Sequence, residues 1–151
     1  MGLDMYLEKS VWIGANYEHN EVTGIIDLKS KGKLVKVNTN KVKSIIEDYA
    51  YWRKANQIHG WFVRNVQDGQ DNCARYYVSV EQMEELVDTC LKVLADHSLA
   101  PDLLPAQEGF FFGNAKYDEY YFDDLRATVA MLKNIKADSQ DADGFYYYAS
   151  W

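Results

Sequence analysis

Tyr51-Trp52-Arg53-Lys54-Ala55-Asn56-Gln57-Ile58-His59-Gly60-Trp61-Phe62-Val63-Arg64-Asn65 packs two Trp, two Arg, a Lys, two Asn and a His into fifteen residues. Whether it is helix or strand decides the architecture around it. Val42, Ile45, Ile46, Tyr49 and then Trp52 or Arg53 recur at helical spacing. Asn38-Thr39-Asn40 just upstream offers N-cap side chains. This pattern predicts one long helix over residues 41–66. Its apolar stripe drifts to Ala55, Ile58, Phe62 and Val66, with Gly60 inside it. The helix therefore either kinks near Gly60 or packs on two sides. On such a helix Trp52, Asn56 and His59 share one face. A helix that only fills a core has little use for so many polar groups among large aromatics, whereas one that builds a binding surface does.

Outward from this stretch, the alternation of Leu3, Met5 and Leu7 with Asp4, Tyr6 and Glu8 predicts a strand over residues 3–13. Residues 22–28 and 33–37 read as a hairpin with Gly32 in its turn. Beyond the central stretch, 67–72 is a loop and 75–78 a short strand. Ser79 with Gln82 three residues later is a capping box opening a helix that carries Met83, Leu86, Val87, Cys90, Leu91 and Leu94 inward. A short turn or helical piece covers 99–104. Gly109-Phe110-Phe111-Phe112-Gly113 reads as a buried strand between glycines, not a phosphate loop. A helix follows over 117–136, then a polar loop and an aromatic strand over 145–151 that docks the C-terminus in the sheet. The whole predicts one α+β domain over residues 1–151, with a short, largely antiparallel sheet and about three helices packed on it.

At 151 residues the chain can bury a sizeable core without staples. Its aromatic content, 15 % with twelve Tyr, is high. Tyr suits binding clefts, and it also suits a sheet with one wet face. The net charge of −7 is unevenly spread. Residues 1–65 carry ten Lys/Arg against seven Asp/Glu, and residues 66–151 carry six against sixteen. Six lysines, Lys29, Lys31, Lys33, Lys36, Lys41 and Lys43, fall between Asp27 and Glu47 with no acid among them. The ordinary explanation is a solvated face that also protects an exposed hairpin from edge pairing. Overall acidity disfavours direct nucleic-acid binding, whose affinity comes from phosphate neutralisation. Cys73 and Cys90 match no zinc or redox spacing and read as free thiols. The N-terminus lacks the features of a signal peptide, and no apolar run reaches membrane-spanning length. The expectation is a cytoplasmic protein without membrane contact.

Two clusters stand out as candidate sites. In the first, Trp52 would stack on a flat ring, Arg53 would pair with an anion, and Asn56 and His59 would hydrogen-bond. The competing explanation is that Asn56 and His59 are satisfied polar groups where helix meets sheet. The second is the run Tyr117-Asp118-Glu119-Tyr120-Tyr121-Phe122-Asp123-Asp124, of which Tyr117, Asp118 and Glu119 would stand opposite the first across a cleft. Glu119 and Asp123 repel at i,i+4 spacing, which a basic partner or Arg126 relieves. Acids at a helix start are also simply well placed in its dipole. No metal-ligand spacing, catalytic triad order or cofactor fingerprint occurs, so no metal and no cofactor is expected.

The opening Met-Gly-Leu-Asp-Met-Tyr-Leu, the central Tyr-Trp-Arg-Lys-Ala-Asn-x-Ile-His-x-Trp-Phe-Val, Gly109–Gly113, Tyr117–Tyr121 and the terminal Ser150-Trp151 together resemble a family of small proteins from bacteriophages and prophages. The resemblance spans most of the chain. It implies a phage or bacterial setting, and it carries over no activity and no catalytic residue. Three functions follow as expectations: a non-enzymatic binder of a host protein or a small anionic or aromatic ligand; a small hydrolase or nucleotide-processing enzyme using His59 with Asp118, Glu119 or Asp71; and an acidic mimic of nucleic acid built on residues 66–151.

Overall fold

The computed structural model describes residues 2–14, 28–140 and 143–151. Its main sheet has four antiparallel strands: β1 (Asp4–Trp12), β4 (Ser44–Arg53), β5 (Tyr76–Val78) and β6 (Asp143–Ser150), in the order β4-β1-β6-β5. A separate hairpin pairs β2 (Leu28–Ser30) with β3 (Lys33–Val35). The helices are α1 (Asn56–Asn65), α2 (Val80–Ala95), α3 (Ala100–Leu103), α4 (Glu119–Leu132) and α5 (Ile135–Asp138). The α+β class and the antiparallel sheet are as expected. The first strand expected for the hairpin, over 22–28, lies outside the described residues except for Leu28.

The long helix expected over residues 41–66 does not form. Its first part is strand β4, and only Asn56–Asn65 is helical. The physical reason is a bulge. The register between β1 and β4 runs Leu7↔Ala50 and then Glu8↔Asp48, so Tyr49 is an extra residue on β4. The bulge breaks the period-2 alternation and leaves a spacing that imitates a helix. Ala50 and Trp52 face the core while Tyr51 and Arg53 face out, as a strand requires. Lys54 then takes a left-handed φ of 60° and ends the strand. Asn38–Asn40 opens no α-helix; Asn38 Oδ1 accepts from the Asn40 amide at the start of a short 3-10 helix over Thr39–Lys41. The expected Phe110–Phe112 strand is also absent. That segment is a turn in which Phe110 is 95 % exposed. The helix expected over 117–136 is divided into α4 and α5.

The sheet's inner face carries Met5, Leu7, Trp52, Phe145 and Tyr147. Ile58 and Phe62 of α1, Met83, Leu86 and Cys90 of α2, and Phe122, Leu125 and Leu132 of α4 complete the core. Phe62 stacks on Tyr147 with centroids 3.8 Å apart. Gly60 lies against the Gln107 side chain, where a Cβ would come within 2.8 Å, so α1 is packed on two sides rather than kinked. The outer face explains much of the tyrosine content. Tyr6 sits between Tyr51 and Tyr148 at 5.3 and 4.8 Å, and Tyr146 neighbours Tyr77. The capping box is present, with Ser79 Oγ accepting from the Gln82 amide at 3.1 Å and Gln82 Oε1 accepting from the Ser79 amide at 3.0 Å. Both cysteines are free, Cys73 exposed and Cys90 buried. Among the described residues no helix is long and apolar enough to cross a membrane.

Candidate functional site

The strand-to-helix junction from Arg53 to Gln57 builds one wall of a cleft of about 250 Å³. The opposite wall comes from the segment before α4 and from its first turns: Gly113, Asn114, Lys116, Asp118, Tyr120, Tyr121 and Asp124. The left-handed turn at Lys54 is held at both ends. Its amide donates to the Leu3 carbonyl at 2.8 Å, and its carbonyl accepts from the Asn56 amide at 2.8 Å. The backbone at Gly113 passes close by, with a φ of +83°; a Cβ there would lie 3.3 Å from that of Lys54.

Asn56 ties the two walls together. Its Nδ2 donates to the carbonyls of Phe112 and Asn114, both at 3.0 Å, and its Oδ1 accepts from the Gln107 amide at 2.8 Å. Both donor hydrogens and the carbonyl are thus engaged by the protein. Asn56 shapes the cleft and has no free donor for a ligand. Asp118 caps α4, accepting from the Tyr121 amide at 3.2 Å, and also accepts from Asn114 Nδ2 at 2.8 Å. At the floor, Gln57 Nε2 donates to Asp124 Oδ2 at 3.1 Å and to the Tyr121 carbonyl at 3.3 Å. Burial pushes the Asp124 carboxyl up to about 6, against the pull of the Gln57 hydrogen bond and with a smaller push from Asp123 and Asp118.

The rim is basic. Arg53 is mostly exposed and lies only loosely near Asp4, at 3.9 Å. Lys54 and Lys116 are exposed and have no ion pair among the described residues. Three cations thus surround a floor whose carboxyl is easily neutralised, on a chain of net charge −7.

Of the residues singled out in the sequence, Arg53, Asn56 and Asp118 meet at this cleft. Trp52, Asn56 and His59 do not share a helix face, because Trp52 belongs to β4. Trp52 is 4 % exposed, and its indole N–H donates to Thr128 Oγ1 at 2.9 Å, so it is a core residue. Tyr117 and Glu119 flank Asp118 outside the cleft. The Tyr117 hydroxyl accepts from the Ala106 amide at 3.3 Å, and Glu119 and Asp123 share Arg126 at 2.7 and 2.6 Å. Arg126 therefore relieves the like-charge repulsion locally.

His59 points to β6 instead. It is 1 % exposed, with its ring near Phe112, Tyr147 and Trp151. Its Nδ1 lies 2.7 Å from the Tyr147 hydroxyl. Burial raises the Tyr147 phenol well above its ordinary range, so it stays protonated in this contact. Nε2 lies 3.1 Å from Asp71 Oδ1, within ion-pair distance, but the alignment does not make a hydrogen bond. Among the described residues, no group of three or more His, Cys, Asp or Glu is placed to hold a metal ion.

Gln57 was not singled out in the sequence, and Asp124 only as the end of the run from Tyr117 to Asp124. Asp124 had a signal: it is three residues after Tyr121 and four before Thr128, on the inward face of α4, where a carboxylate is out of place. The chain matches no protein-family model, no curated protein and no solved structure.

Proposed function

We propose that the protein is a small accessory protein of phage type that acts by non-covalent binding, and that its ligand is a small anion bearing one flat ring. The observation that carries this reading is the ring of Arg53, Lys54 and Lys116 around a floor formed by Gln57 and Asp124. The rim supplies charge for a phosphate or carboxylate. The floor, once protonated, supplies a hydrogen-bond donor. Tyr120, 81 % exposed at the edge, supplies a face for a ring. At about 250 Å³ the cleft is smaller than sites for drug-sized ligands, which start near about 300 Å³, so it takes the anionic group while the ring lies on Tyr120 at the edge. Enzymatic use of His59 has less support, because its ring is sealed between Tyr147, Phe112 and Trp151, away from this cleft.

The test is calorimetric titration with nucleoside monophosphates and aromatic carboxylates, alongside native mass spectrometry of protein purified from cells. The expected result is a bound mass of a few hundred daltons, or a titration that the Lys54→Ala/Lys116→Ala double variant weakens at least about tenfold, the equivalent of about 1.4 kcal/mol. A clean apo mass with no binding across the panel sinks the small-ligand reading and turns the search to a host protein.

A further inference from the structure

The lysine run is not absorbed by the cleft. Lys29, Lys31, Lys33, Lys36, Lys41 and Lys43 are all exposed, and none is in an ion pair among the described residues. Three of them crowd the tip of the β2–β3 hairpin. The register Leu28↔Val35, Lys29↔Leu34, Ser30↔Lys33 leaves Lys31 and Gly32 as a two-residue turn. Their φ values of 50° and 76° are both positive, the mirror-image turn whose twist suits a tight hairpin. Leu28, Leu34 and Val35 are 50, 57 and 42 % exposed, so the ribbon is not seated on the core. Like charges gathered on such an arm repel one another, and a polyanion relieves them.

We propose that this hairpin, continued by Lys36, Lys41 and Lys43, is a phosphate-binding arm for duplex nucleic acid, independent of the cleft. A two-stranded ribbon has the width that a duplex major groove admits. The tip, Ser30-Lys31-Gly32-Lys33, is wholly polar, which suits phosphates and not insertion into lipid. Between Leu28 and Ser44 the sequence holds six lysines and no acid, so the local charge is opposite to that of the whole chain. At physiological salt the field of distant acids decays over about 8 Å. Total charge disfavours nucleic acid, whereas phosphates at the tip meet the local charge.

Fluorescence anisotropy of a labelled duplex of about 20 base pairs, read between about 50 and 200 mM salt, tests this. The wild-type protein binds at the low end, and its affinity falls steeply with salt. The Lys29→Gln/Lys31→Gln/Lys33→Gln variant folds normally, since all three side chains are exposed. It binds at least about tenfold more weakly, with a log–log salt slope shallower by about 2.7, at about 0.9 per phosphate contact. Absence of wild-type duplex binding at low salt overturns the proposal, as does a triple variant that binds like wild type. Co-sedimentation with anionic phosphatidylserine vesicles in place of duplex binding overturns it in favour of a membrane surface.

Discussion

Asp124→Asn should stabilise the protein, and only above a definite pH. The Asp124 carboxyl titrates near 6 when folded, against an ordinary value of 3.8, because burial opposes its charge. A raised acid costs stability wherever the folded protein must hold it ionised, so the cost is absent below 3.8, grows between 3.8 and about 6, and is complete above that. At about 1.4 kcal/mol per tenfold change in the proton equilibrium, the gap corresponds to about 3 kcal/mol. Asp124 borders an open cleft, and solvent screening removes roughly half of that, leaving about 1.5 kcal/mol. Asn keeps the shape and the acceptor for Gln57 Nε2 while removing the charge. Urea denaturation of both proteins at pH 4 and pH 7.5 isolates the effect, since every other carboxylate cancels in the difference. At pH 7.5 the variant should lead by about 1.5 kcal/mol, or about 3–6 °C in Tm for a chain of this size. At pH 4 the two should nearly coincide. A difference of the same size at both pH values, or a less stable variant at pH 7.5, refutes the assignment of a buried, charge-averse carboxyl at the cleft floor.

Asn56→Ala removes three hydrogen bonds that hold residues 107–114 and should cost about 3 kcal/mol. Limited proteolysis should then cut within residues 105–118 well below the unfolding temperature. Thr128→Val leaves the buried Trp52 indole N–H without its acceptor, for a loss of about 1–3 kcal/mol in urea denaturation that Thr128→Ser largely restores. Ser79→Ala opens the capping box at α2 and should lower stability by about 1 kcal/mol, with no effect on any ligand of the cleft.

Strands β1 and β6 were legible because nothing interrupts their alternation where it matters, and α2 because its cap and stripe agree. β4 was not, and the reason is local. The bulge at Tyr49 turns that side chain inward, where its hydroxyl reaches Asp138 at 2.7 Å, and so places two facing periods in one segment. Helical spacing then outscored strand spacing over residues 42–53. The Phe110–Phe112 turn misled for a different reason. Apolar runs between glycines are usually buried strands, but here backbone hydrogen bonding to Asn56 and to Leu3 holds a loop, and Phe110 is left in solvent.

Three of the residues expected at a site line one cleft, by a geometry other than the one expected. Arg53, Asn56 and Asp118 do meet, yet not because they share a helix: a strand ends at Arg53, a left-handed Lys54 turns the chain, and Asn56 opens the helix that follows. That turn divides the neighbouring residues between two environments. Trp52, the last inward residue of the strand, goes to the core and Thr128. Arg53 and Lys54 go to the rim, Gln57 to the floor, and His59, about half a helical turn further on, to Tyr147 and Asp71. A single helix would have put Trp52 and His59 beside a ligand. The bulged strand instead leaves charge and amide groups at the cleft and places the aromatic ring and the imidazole in the core, so the binding proposal rests on a rim of cations over a neutralisable carboxyl and not on a stacking Trp with a general base.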